Sequence, residues 1–146
     1  MKTVNFEINI HASKDKVWEK LTNLKSYEEW TGAAFPGSSF LGEWIEGGTI
    51  DFFGPDGTGT QVTINKLTEN EVVEMTHTAL LKENRVPDTE SELAKNWIGA
   101  TDNYYLSENN GITTFKVETS ISIEWGKMFS ESWPKMLQKL KEISEN

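Results

Sequence analysis

Cysteine is absent from this 146-residue chain. Its absence excludes a disulfide framework, thiol catalysis and thiolate metal sites. Histidine is scarce. His11 and His77 are the only two, and they fall in separate segments, too few and too far apart for an imidazole metal cluster. The acidic residues are scattered rather than grouped, so no all-carboxylate cation site is read from them. No Gly-x-Ser-x-Gly elbow occurs. Gly57-Thr58-Gly59 lacks a third glycine and lies between strands, which makes it a hairpin loop rather than a nucleotide cradle. No run of about 18 apolar residues is present to form a membrane-spanning helix. The opening MKTVNFEINI has one Lys and an alternating pattern instead of the apolar centre of a secretory signal, and a cytoplasmic protein is expected. Basic residues are also in short supply, with 14 Lys and Arg against 23 Asp and Glu, a net charge of −9. Such a balance opposes binding to nucleic acid and to an anionic membrane surface, so neither is expected as a partner.

What the chain does have is aromatic residues, six Trp, seven Phe and three Tyr. Its length fits one domain over residues 1–146, large enough to bury a core without staples. Thr3 to Ile10 reads as a strand, because Val4, Phe6, Ile8 and Ile10 alternate with polar residues. A helix follows, with Ser13 as N-cap, Asp15 in its first turn, and Val17, Trp18, Leu21 and Leu24 as its apolar stripe. A second short helix is expected near Ser26 to Trp30, ending around Gly32.

Hairpins come next. Phe40 to Ile45 and Thr49 to Phe53 read as strands around a Gly47-Gly48 turn. Gly54-Pro55-Asp56-Gly57 is a further turn. Thr60 to Leu67 and Glu71 to Leu81 are strands joined near Glu69-Asn70. In the segment from Lys82 to Ile98, Thr89 and Glu92 have the spacing of a capping box. Leu93 and Trp97 then share a helical face. Strands resume at Thr101 to Ser107 and, after the hairpin signal Asn109-Asn110-Gly111, at Ile112 to Ile123. Phe115, Val117, Thr119, Ile121 and Ile123 share one face of the last strand.

The final helix begins near Lys127 or Ser132 and runs to Ser144. Phe129, Trp133, Met136, Leu137, Leu140 and Ile143 give it a broad apolar stripe. Pro134 lacks the N–H that would bond Ser130, so the helix is expected to start near Trp133 or to kink there. Short links make the strands antiparallel neighbours. A one-sided sheet needs a cover, and only the last helix has a wide enough stripe. The fold class is therefore α+β, a curved seven-stranded antiparallel sheet around a long C-terminal helix, with two short helices after the first strand.

That arrangement leaves room for a cavity between sheet and helix. Aromatic walls with a few polar tips are typical of small-molecule pockets. Trp30, Phe35, Phe53, His77, Trp97, Tyr104, Phe129, Trp133 and Met136 are the candidate ligand-binding residues. His77 shares its strand face with Val73, Met75, Ala79 and Leu81, and Asp51 on a neighbouring hairpin is the candidate carboxylate partner for it. No catalytic residue, metal or cofactor is assigned.

The stretch INIHASKDKVWEKLTNLKSYEEW resembles the START-like (SRPBCC) superfamily, through Ala12, Val17, Trp18, Leu21 and Trp30. The segment WGKMFSESWPKMLQKLKEI is similar to its closing helix, with Trp133 ahead of Leu137 and Leu140. The resemblance implies the helix-grip fold. The branch it looks most like is that of the homologues of the activator of the heat-shock-protein ATPase. The aromatic richness and the order of meander and closing helix point to a hydrophobic or amphipathic ligand, lipid included, in an internal cavity. The alternatives that the resemblance implies are a co-chaperone-like module that meets a chaperone, or a cyclase, lyase or hydrolase using polar cavity residues. Monomer and homodimer both remain open.

Overall fold

The computed structural model describes residues 1–122 and 125–146. The chain opens with β1 (Lys2–Ile10), α1 (Lys14–Thr22) and α2 (Leu24–Thr31), then β2 (Ser39–Leu41), β3 (Thr49–Phe53), β4 (Gly59–Thr68) and β5 (Val72–Lys82). β6 (Val86–Asp88), α3 (Glu92–Trp97), β7 (Thr101–Asn109), β8 (Ile112–Ile121) and α4 (Gly126–Glu145) complete it. Every strand pairing is antiparallel, and the order across the sheet is β1-β8-β7-β5-β4-β3-β2. The short β6 pairs with β5 off this path, which makes eight strands rather than the expected seven. Left-handed backbone at Asn84 and Arg85 reverses the chain there, a turn with no Gly to announce it.

α1, α2 and β1 all pack on α4. The gripped stripe is Trp133, Met136, Leu137 and Leu140, all buried, with Phe129 and Ile143 packed partly against the same core. The sheet answers with Ile10, Ile50, Val62, Ile64, Val73, Phe115 and Val117, all fully buried. This is the helix-grip fold.

Several boundaries differ from the expectation, each for a local reason. Leu24 is 45% exposed, because it opens α2 under an Asn23 cap instead of closing α1. Ser13 is the α1 N-cap, but its side chain makes no capping bond. The strand expected over Phe40 to Ile45 stops at Leu41. Gly42 takes φ +133°, and a Cβ there would lie 2.5 Å from the Thr49 carbonyl oxygen. Gly48 N donates to Ile45 O at 2.9 Å in the expected turn, and Gly47 and Gly48 also bond the backbone of Ile64 in β4. The α3 cap moves from Thr89 to Ser91, whose oxygen accepts from Ala94 N at 3.1 Å. Asp88 holds the Ser91 N–H and hydroxyl and fixes that choice. Ala94 and Trp97 form the buried face of α3, while Leu93 is 47% exposed. α4 starts at Gly126, next to the expected Lys127, and not near Ser132 or Trp133. It runs through Pro134, which sits on its exposed side. Ile123 lies outside the described residues.

β5 changes partners along its length. Val72–Thr76 pair with β7 and Leu80–Lys82 with β6. Between the two, His77 N donates to Ala100 O at 2.8 Å and Gly99 N donates to His77 O at 2.9 Å. On the other edge of β5 the register with β4 shifts between Gln61 and Val62, beside His77. Bulges of this kind re-aim side chains. Two irregularities therefore meet at His77.

Candidate functional site

A cavity of about 150 Å³ lies between the sheet and α4. Of the nine sequence candidates, Trp30, Phe35, His77, Trp97, Tyr104, Phe129, Trp133 and Met136 line it. Phe53 does not. Ile50 is the fully buried residue of β3, so strand alternation turns Phe52 inward with it and Phe53 outward. Phe52 lines the cavity, and Arg85 sits over the Phe53 ring at 5.1 Å.

The aromatic wall is continuous. Phe52 stacks on Tyr27 (5.6 Å between centroids), Tyr27 meets Trp30 edge-on (5.3 Å), Trp30 meets Trp133 (6.2 Å), and Trp133 meets Tyr104 (6.1 Å). These separations are those of favourable aromatic pairs. Both phenols are driven above their ordinary titration range, chiefly by burial and then by the charge of Asp102. Among the described residues the buried Trp30 Nε1 has no hydrogen-bond partner.

The polar end is a chain of hydrogen bonds across five elements. The Trp97 indole N–H donates to Thr60 Oγ1 at 2.9 Å. Thr60 Oγ1 lies 2.7 Å from His77 Nδ1. His77 Nε2 lies 2.8 Å from Asp102 Oδ2, and the Thr119 hydroxyl donates to Asp102 Oδ1. An ionised carboxylate only accepts, so Nε2 carries the proton in the neutral ring. Nδ1 is then the acceptor for the Thr60 hydroxyl. His77 is 2% exposed, and the Trp97 ring covers it at 4.6 Å. The expected partner Asp51 is elsewhere. It accepts from Gln61 Nε2 at 3.0 Å and pairs with Arg85 at 3.6 Å.

Sequence reasoning missed Asp102, Thr60, Thr119, Tyr27 and Phe52 as cavity residues. Alternation carried the signal for four of them. Asp102 shares a face with Tyr104, Thr60 with Val62, Thr119 with Val117 and Phe52 with Ile50. The hydroxyl–imidazole–carboxylate order can relay a proton, with the carboxylate orienting the ring.

A larger groove of about 890 Å³ lies outside the cavity, lined by Leu80, Leu81, Val86, Leu93 and Trp125 among others. It shares Thr60, Trp97 and Phe129 with the cavity. These three side chains form the partition between the two spaces. Among the described residues, no helix is long and apolar enough to cross a membrane.

No family model matches the chain, and no curated protein does. Solved structures do match. The solution structure of the Aha1 dimer from Colwellia psychrerythraea superposes with a TM-score of 0.75 at 22% identity, over 99% of this chain and 97% of that one. Protein MLL2253 from Mesorhizobium loti gives 0.74 at 16% identity, over 97% and 96% of the two chains. DynU16, a protein in the dynemicin biosynthetic locus, gives 0.70 at 15% identity, over all of this chain and 48% of that one. At these identities the likeness establishes a common fold.

Proposed function

We propose that the chain binds a small molecule in the cavity between sheet and α4. The observation that carries this reading is the aromatic wall closed at one end by the Thr60–His77–Asp102 chain. An apolar body with a few convergent polar groups is the form of a ligand site. The ligand residues are Trp30, Phe35, His77, Trp97, Tyr104, Phe129, Trp133 and Met136, joined by Tyr27, Phe52, Thr60 and Asp102. A space of about 150 Å³ takes a body the size of a single benzene ring. A lipid chain or polyketide would have to displace Trp97 and extend into the outer groove.

Titration with single-ring aromatics and short alcohols, followed by tryptophan fluorescence, tests the reading. Trp30, Trp97 and Trp133 in the wall should give a saturable change. A response that stays linear for every compound, with no bound mass in native mass spectrometry, would end it.

A second reading is an enzyme that moves a proton through His77, favoured by the relay itself. It requires His77→Ala to remove turnover while binding persists. The likeness to the Aha1 dimer is compatible with a homodimer. A chaperone partner rests on that likeness alone, and stimulation of a chaperone ATPase would be its test.

A further inference from the structure

We infer that the cavity is built for a small organic cation, held against the aromatic wall by the Asp102 carboxylate. The inference rests on the cavity-binding reading and names its ligand class.

Among the described residues Asp102 is the one acidic residue in the cavity lining, and no Lys or Arg accompanies it. Among the described residues its only ionic partner is His77. The hydrogen-bond network is complete with that ring neutral, Nε2–H to the carboxylate and Thr60 to Nδ1. In that state the carboxylate charge has no countercharge. Its side chain is 20% exposed, and it lines the cavity. Each oxygen accepts one bond, from Thr119 or from His77, and each keeps a second lone pair. A largely buried carboxylate with spare accepting capacity and no countercharge is an unmet demand for positive charge.

The wall answers the same demand. Phe52, Tyr27, Trp30, Trp133 and Tyr104 form one run of touching rings, and ring faces attract cations, Trp most strongly. Burial chiefly raises both phenols and the Asp102 charge adds to that rise, so its field reaches the wall. An anion would meet the carboxylate and the ring faces with repulsion on both sides. A neutral apolar ligand would use the rings and leave the carboxylate unanswered. The unpartnered Trp30 N–H could be satisfied by a hydroxyl or carbonyl on the same ligand. His77 is the group that competes. Once protonated it would neutralise Asp102 from within, and Thr60 could then turn its hydroxyl to Ala79 O, 3.3 Å away.

The test compares choline with dimethylbutanol, its uncharged carbon isostere, by isothermal titration of the full chain. About 0.15 M salt screens the general attraction of an acidic protein for cations. Choline should bind at least about tenfold tighter than the isostere, and Asp102→Asn should erase the preference while isostere binding persists. Nuclear Overhauser contacts from the choline methyl groups to cavity indole protons supply a readout that does not depend on the variant folding. Equal or tighter binding of the isostere overturns the cation inference and leaves the cavity reading standing. A choline preference that survives Asp102→Asn, or choline without contacts to the cavity rings, overturns it as well. If neither compound binds and single-ring aromatics also fail to saturate, the cavity reading falls with it.

Discussion

The Trp97 indole nitrogen sits 2.9 Å from the Thr60 hydroxyl, the same oxygen that lies 2.7 Å from His77 Nδ1. One hydroxyl thus ties α3 to the imidazole at the end of the cavity. Thr60→Val keeps the shape and removes that oxygen. An indole N–H and a ring nitrogen then lose their partners, at a cost of about 1–3 kcal/mol. Urea denaturation should show the loss, and Thr60→Ser should recover most of it. A valine variant as stable as the parent would mean that the bond contributes nothing.

The architecture was legible because its signals are periodic. Alternation in β1 and β8 and the stripe on α4 name the core faces, and Asn110-Gly111 supplies the two positive φ angles of a tight hairpin. The same logic placed eight of nine candidates in the cavity, and Phe53 failed by one residue of parity. The relay was not legible as a relay. His77 meets Asp102 only because β5 leaves β7 after Thr76 and the backbone of Gly99 and Ala100 takes over. The turn that brings β6 onto β5 takes positive φ at Asn84 and Arg85, where only Asn84 is a residue type that favours it. The choice of Asp51 rested on its place on a neighbouring hairpin. It failed because Asp51 shares the outward face of β3 with Phe53.

Asp88 should give α3 an acid sensitivity. Its carboxylate accepts from Ser91 Oγ at 2.6 Å and from the Glu90 and Ser91 N–H groups, both at 3.1 Å. The Ser91 hydroxyl first, and then these backbone groups, hold its pKa below the ordinary 3.8. A carboxyl with a depressed folded-state pKa contributes stability that is present above its unfolded value and lost as pH falls through the folded one. Asp88→Ala should therefore lower the melting temperature at neutral pH, and the gap to the parent should close at strongly acid pH. A gap constant across the whole acid titration would remove the carboxylate from the account.

Leu140 tests the grip. It is fully buried on α4 among Trp133, Met136 and Leu137. Leu140→Ala removes three carbons from a packed interface and should cost about 2–5 kcal/mol. The denaturation midpoint should fall with little change in its slope, because the exposed surface on unfolding is nearly the same. A loss under about 1 kcal/mol would show that α4 can settle into the gap, against close packing.

Pro134 gives the sharpest contrast between local preference and fold. It stands on the exposed side of α4 directly after Trp133, between the turns that carry Phe129 and Met136 into the cavity lining. Its ring denies the Ser130 carbonyl an intrahelical partner and disfavours the helix at that point. Pro134→Ala restores the N–H and a strong helix former, so stability should rise by roughly 1–3 kcal/mol. Thermal melting reads the gain directly. If the melting temperature drops instead, the proline is setting the path of α4, and straightening it moves Phe129 or Trp133 off the wall. Ligand titration of the same variant separates the two outcomes. Affinity should hold if the proline is only a local cost, and it should fall together with stability if the helix path shapes the cavity.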